Sequence, residues 1–150
     1  MLSVGFDRAR AGDYGARMAY WLLKTEPSVY SWEQLVREGA TRWDGITNPA
    51  ALKHLRSSKA GDRVFIYHTG DERRAVGIAE ITGAPYADPK NPKLAVVDLK
   101  AAERLKAPVD LATLKADPAF AGSPLVREGR LSFVPLTDAQ YKRILKLAGH

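Results

Sequence analysis

Apolar and polar positions alternate in short blocks along the 150 residues, and most blocks are bounded by proline, glycine or a small polar residue. Residues 1–18 are the exception: they show neither helical nor strand periodicity and contain three glycines, which predicts a mobile extension. Met18 stands directly before the first strand pattern and is a second candidate for the start of translation. AYWLLK, 19–24, is aromatic-rich and apolar on both faces, the pattern of a central strand, and Pro27 ends it because it cannot donate to a ladder. Ser31 and Gln34 form a capping-box pattern that opens a short helix over SWEQLVREG, with Gly39 as its stop. TRWDGITNPA, 41–50, then reads as a loop that carries an unusually large aromatic. Asn48 and Pro49 open a further helix, in which Leu52 and Leu55 face inward.

DRVFIYH, 62–68, and AVGIAEIT, 75–82, are strand-like runs separated by TGDERR, the pattern of a hairpin. The proline-rich segment 83–93 predicts a loop, and LAVVDLKA, 94–101, a strand. Asp110 caps a short helix over LATLKA. RLSFVPL, 130–136, gives a last strand ended by Pro135, and Thr137 with Gln140 repeats the capping box ahead of a helix that stops at Gly149. Five or so strands and four short helices in mixed order predict an α+β domain rather than a doubly wound sheet. No glycine-rich turn of the Rossmann or phosphate-loop type follows any strand.

Length and composition narrow the class. One ordinary domain fits 150 residues, so residues 19–150 are expected to form it. Apolar residues at 45% and charged residues at 27% are globular proportions. No apolar run approaches the roughly 18 to 20 residues of a membrane helix, and the N-terminal stretch lacks the apolar middle of a secretory signal. Cysteine is absent, which excludes disulfides, thiolate metal sites and a cysteine nucleophile together, and a cytoplasmic location is the expectation. The net charge is +6, of which residues 1–19 supply only +1 from three arginines and two aspartates. The domain itself is therefore basic, which favours contact with phosphates.

Four groups of residues have types suited to chemistry. Trp43 offers a flat face for stacking a base, Asp44 accepts hydrogen bonds, and Asn48 can pair with a base edge; equally, Trp43 plugs the core, Asp44 bonds its own turn and Asn48 caps the helix. Tyr67 and His68 end a strand where a loop begins, on opposite faces by alternation, so at most one shares a given pocket. His54 and His150 lie on a helix and at the terminus, no spacing resembles a metal site, and none is expected. Lys24, Thr25 and Glu26 make a possible acid–base or nucleophile set, or simply an ion pair beside a turn hydroxyl. Arg73, Arg74, Arg127, Arg130, Lys142, Arg143 and Lys146 are candidate phosphate contacts or plain solubility charges.

Taken in order, YWLLKTEP, SWEQL, WDGITN, ALKHLRSSKAGDRVFIYHTG, VGIAEI and RLSFVPLT resemble the EVE domain family over about residues 19–148. The resemblance implies a PUA-like fold, a mixed β pseudo-barrel with flanking short helices. It also implies kinship with domains that hold modified nucleobases, methylated adenine in RNA or modified cytosine in DNA. Carried over by motif, the pocket would be lined by Trp21, Lys24, Thr25 and Glu26, by Trp43, Asp44, Gly45 and Asn48, by Tyr67 and His68, and by Arg130 and Ser132. Many relatives carry valine-arginine where this chain has Ile46-Thr47, so one guanidinium near the pocket is missing. TGDERR is also short, and 83–93 lacks a longer aromatic-bearing insert found in some relatives. The expectation is a non-enzymatic reader of a modified base in DNA or RNA, a monomer without cofactor or metal. The alternatives are a hydrolase acting through Lys24, Thr25 and Glu26 on a modified nucleoside or nucleic acid, and a protein-interaction module.

Overall fold

The computed structural model describes residues 18–150, so the extension expected over residues 1–18 lies, all but Met18, outside the described residues. The first strand, β1 (Tyr20–Thr25), buries Trp21, Leu22 and Leu23 in succession. A strand apolar on both faces belongs inside a sheet. β1 indeed runs parallel to β3 (Arg63–His68) on one side and antiparallel to β7 (Phe133–Leu136) on the other. The parallel pairing requires a crossover, which consists of α1 (Trp32–Glu38), β2 (Ala40–Trp43) and α2 (Pro49–Ser57).

β3 returns antiparallel as β4 (Arg74–Ile81), the expected hairpin. β5 (Tyr86–Asp88) and the long β6 (Asn91–Asp110) follow, and β6 pairs antiparallel with β4, β2 and β5. The sheet therefore has the order β2-β6-β4-β3-β1-β7, with β5 attached to β6. The chain then forms α3 (Leu111–Ala116), a 3₁₀ turn (Pro118–Phe120) and α4 (Pro124–Arg127) before β7, and α5 (Asp138–Leu147) closes it. Among the described residues this makes seven strands and five α-helices, more of each than the sequence pattern predicts.

Helix starts follow the predicted caps. Ser31 Oγ accepts from the Gln34 N–H, Asn48 Oδ1 from Ala51 and Asp110 Oδ1 from Thr113. The capping box is complete only at α5, where Thr137 and Gln140 bond each other's main-chain N–H; the Gln34 side chain instead donates to Glu38. Gly39, at φ 80°, ends α1 in the left-handed region.

Three expectations change. Residues 41–43 are not loop: they belong to β2, an edge strand in which Trp43 lies opposite Val97. Pro135 does not end β7 but sits inside it, opposite Trp21, where an edge strand can spare an N–H. The segment 83–93 contains β5, and the strand expected over 94–101 extends from Asn91 to Asp110, with register shifts against β4 that absorb its extra residues.

The core is one cluster of buried side chains centred on Trp32, Phe65, Phe120 and Phe133. The Trp32 indole lies against Gly77, where a Cβ would come within 2.5–2.6 Å of three ring atoms. Glycine is the residue that allows this approach. No helix among the described residues is long and apolar enough to cross a membrane.

Candidate functional site

β1 ends where Pro27 forces the chain out of the ladder, and the turn that follows is tight: Val29 and Tyr30 N–H both donate to Glu26 O at 2.9 Å. Thr25 Oγ1 donates to Tyr30 O at 2.7 Å and ties the two ends of the turn together. Tyr30 is thereby set beside Trp43 at the end of β2, ring edge to ring face, with centroids 5.3 Å apart and planes at 88°. The Tyr30 hydroxyl donates to Glu38 Oε1 on α1 at 2.6 Å. Burial first and Glu38 second push its pKa up, so the phenol keeps its proton. After Trp43 the chain turns through Gly45 at φ 83°, and Ile46 is buried beneath the turn.

These segments enclose a cavity of about 480 Å³. Its wall comprises the end of β1 (Lys24, Thr25), the following turn (Glu26, Val29, Tyr30), β2 and its exit (Thr41 to Ile46), and Ser132 just before β7. The size suits a small organic ligand, and the mixture of aromatic rings with a few convergent polar groups is what such sites offer. Lys24 is held at both ends: its N–H donates to Ser132 O at 2.8 Å and its ammonium to Gly129 O at 3.1 Å. Burial lowers its pKa. Glu26 is exposed, and its Oε2 accepts from Ser28 N–H at 2.7 Å and Ser28 Oγ at 2.8 Å. Those two bonds, the main-chain one first, hold its carboxyl below the ordinary range.

Of the pocket residues expected from sequence, Lys24, Thr25, Glu26, Trp43, Asp44, Gly45 and Ser132 share this cavity. Alternation would separate Lys24 from Thr25, but the bend at Pro27 brings the strand end and the turn to one cavity. Trp21, Asn48, Tyr67, His68 and Arg130 lie elsewhere. Trp21 is buried in the core, stacked on Phe133, with Nε1 donating to Asp62 at 3.0 Å. Asn48 uses its side-chain oxygen to cap α2.

His68 is 2% exposed: Nε2 accepts from the Trp32 N–H at 3.0 Å, so the proton sits on Nδ1, 2.8 Å from Glu72 Oε1. Its function in the fold is to seat α1 on β3. Tyr67 is nearly buried on the same strand, and Arg130 is exposed in the turn before β7. Sequence reasoning did not find Val29, Tyr30, Thr41, Arg42 and Ile46. Tyr30 carried a usable signal, a large aromatic in a turn, the same feature that singled out Trp43.

The hydrolase set lacks internal coupling. Thr25 Oγ1 donates to a carbonyl, Glu26 is bonded by Ser28 and Lys24 by Gly129 O, and among the described residues no side chain of the three is hydrogen-bonded to another. A nucleophile needs a base within hydrogen-bond reach. Among the described residues no three His, Cys, Asp or Glu side chains gather as metal ligands would.

Comparison with known proteins agrees with this architecture. Human thymocyte nuclear protein 1 is 28% identical over 165 residues, covering 86% of this chain and 73% of that protein. The solution structure of Rpa0253 from Rhodopseudomonas palustris superposes with a TM-score of 0.84 at 43% identity, covering 88% of this chain and 94% of that one. Human THYN1 protein, crystallised in complex with 5-methylcytosine-containing DNA, superposes with a TM-score of 0.77 at 28% identity, covering 88% of this chain and 98% of that one. The α+β architecture is thus PUA-like, a mixed sheet flanked by short helices, as the resemblance implied. The EVE domain family model matches residues 19–147, which takes in every strand and helix described above, and the chain belongs to the EVE domain family.

Proposed function

We propose that this protein reads a modified nucleobase in nucleic acid, with the base inserted in the cavity beside Trp43. The observation that carries the reading is the pairing of Trp43 with Tyr30: one ring is fixed edge-on by the other at the wall of a cavity large enough for a base. A base stacked on Trp43 would meet Asp44 as an acceptor for an exocyclic amino group, with Thr41 and Ser132 as hydroxyls within the same wall. Asn48 takes no part in this arrangement, because it belongs to the helix cap. The relative crystallised with 5-methylcytosine-containing DNA supports the ligand class. The basic balance of the chain supports a strand rather than a free base.

Extruding a base from a duplex costs a few kcal/mol, so a single strand should bind more tightly than a fully paired one. Fluorescence anisotropy with a labelled oligonucleotide carrying one 5-methylcytosine tests the reading. Trp43→Ala should weaken binding by roughly 5- to 150-fold, the equivalent of about 1 to 3 kcal/mol of base stacking. Unchanged affinity in a Trp43→Ala protein that still melts as the parent does would remove the stacking role.

A further inference from the structure

A second, smaller cavity of about 220 Å³ adjoins the first, and Lys24 belongs to the walls of both. Its wall is built from Lys24 and Tyr67, from Thr69, Gly70 and Arg73 of the hairpin turn, from Lys115 at the end of α3 and from Gly129, with apolar side chains of α3 and α4 completing it. Every ionisable side chain in that wall other than Tyr67 is a cation: Lys24, Arg73 and Lys115. Asp71, Glu72 and Asp110 line a neighbouring hollow that shares Arg73 and Lys115 with this wall, and the Glu26 carboxylate lies against Gly70 without being part of the wall. Lys24 and Tyr67 are register partners on the parallel strands β1 and β3, so both side chains stand on one face of the sheet. Tyr67 is only 3% exposed, yet it reaches this wall, and among the described residues its hydroxyl has no hydrogen-bond partner.

The Tyr67 ring is packed in the core and the hydroxyl opens to the cavity, where it is free to donate to a ligand. Burial above all raises the Tyr67 pKa, Arg73 opposes it and Asp110 adds to it, so the group is a phenol, a donor. Donors and cations converging in a wall that includes no carboxylate suit an anion. Arg73 adds an independent sign of local constraint, since it is the one non-glycine among the described residues held at positive φ, 47°. Its carbonyl accepts from the Leu111 N–H at 2.9 Å, which fixes the hairpin turn against the start of α3.

We propose that this second cavity is a phosphate site, in which the Tyr67 hydroxyl, Lys24, Arg73 and Lys115 hold the phosphodiester that flanks a base lodged in the first cavity. The anion site stands on its own residues; its coupling to a base rests on the function proposed above. Lys24, common to both walls and tethered through Gly129 O, is the joint between backbone recognition and base recognition.

The test uses a short single-stranded DNA oligonucleotide carrying one 5-methylcytosine, and the same strand with a neutral methylphosphonate at the linkage beside that base. Tyr67→Phe, Lys115→Gln and Arg73→Gly each remove one anion-binding group; glycine at Arg73 accepts the positive φ. Each should weaken binding by roughly three- to ten-fold, and the two cation variants should each lower the slope of log affinity against log salt by about one. The methylphosphonate should weaken the parent protein by a similar factor and the Tyr67→Phe/Lys115→Gln double variant clearly less, a dependence that misfolding does not produce. If the variants keep the parent's affinity, salt slope and methylphosphonate sensitivity while Trp43→Ala loses binding, the phosphate site is wrong and the base cavity stands. If Trp43→Ala binds normally and the variants do not, the base reading falls and the phosphate site stands. Inorganic phosphate alone, added as competitor, should displace the oligonucleotide only weakly; displacement at equal concentration would overturn the assignment to a strand phosphodiester.

Discussion

Asp62 shows how far a residue's role depends on partners that sequence spacing hides. It is completely buried, and its carboxylate accepts from four donors: Ala19 N–H and Trp21 Nε1 at 3.0 Å, Lys59 N–H at 2.9 Å and the Lys59 ammonium at 3.0 Å. Three chain segments are thereby joined by one charged group, the entry of β1, the turn after α2 and the start of β3. Asp62→Ala leaves two main-chain N–H groups and the Trp21 indole N–H without an acceptor, while the half-exposed Lys59 ammonium turns to water, and should cost about 2 to 4 kcal/mol. Chemical denaturation would show this as a lowered midpoint at unchanged slope; a loss below about 1 kcal/mol would show that water replaces the carboxylate there. Trp21 was legible as a notable aromatic but not as a structural one, because the partner that fixes it is distant in sequence. Trp43 is half-buried in the cavity wall, and burial rather than an indole partner separates it from the core, since among the described residues the buried Trp32 Nε1 has no partner either. His68 resolves in the same way, its Nε2 committed to the Trp32 N–H.

At the scale of elements, the helix caps were readable because capping is local chemistry: the acceptor and the donor it satisfies lie two or three residues apart. β2 was not readable, since four residues with alternating exposure and pairing on one side leave no apolar run to detect. The far half of β6 failed similarly: its charged side chains face solvent and its bulges break the alternation that identifies a strand. The caps also predict an acid response. Asp110 is held below the ordinary carboxylate range by Thr113, and Asp117 by the Ala119 N–H and then by Arg143, whose Nε lies 2.6 Å from Asp117 Oδ2. A carboxyl with a depressed folded-state pKa stabilises the fold fully above its unfolded value, near pH 4, and the contribution is lost as pH falls through the folded value. Replacing both with asparagine keeps cap acceptors but removes the titration. The double variant should therefore lose stability less steeply than the parent below about pH 4 when denaturation midpoints are followed against pH. Parallel curves for the two proteins would mean that other carboxylates dominate acid unfolding.

For the whole molecule, the sheet order places the larger cavity, the one beside Trp43, at its least anchored side. β3 and β4 lie inside the sheet and are buried almost throughout, whereas β2 is an edge, paired only with β6, and carries Thr41, Arg42 and Trp43 in the cavity wall. The opposite wall, Lys24 and Thr25, belongs to β1, which is paired on both sides. One wall is therefore rigid and the other free to open at less than the global cost, since stability is distributed by burial and by pairing. That arrangement suits a site that must admit a base and then close on it. Native-state hydrogen exchange should find amides of β2 exchanging by local opening while those of β3 wait for global unfolding. Saturation with a 5-methylcytosine oligonucleotide should then slow exchange in β2 far more than in β3, because a ligand bound only to the closed form stabilises it by mass action. If β2 amides in the free protein are already protected as well as those of β3, or if the bound oligonucleotide leaves them unchanged, the cavity is not closed by its edge strand and the base must be held by the β1 side alone.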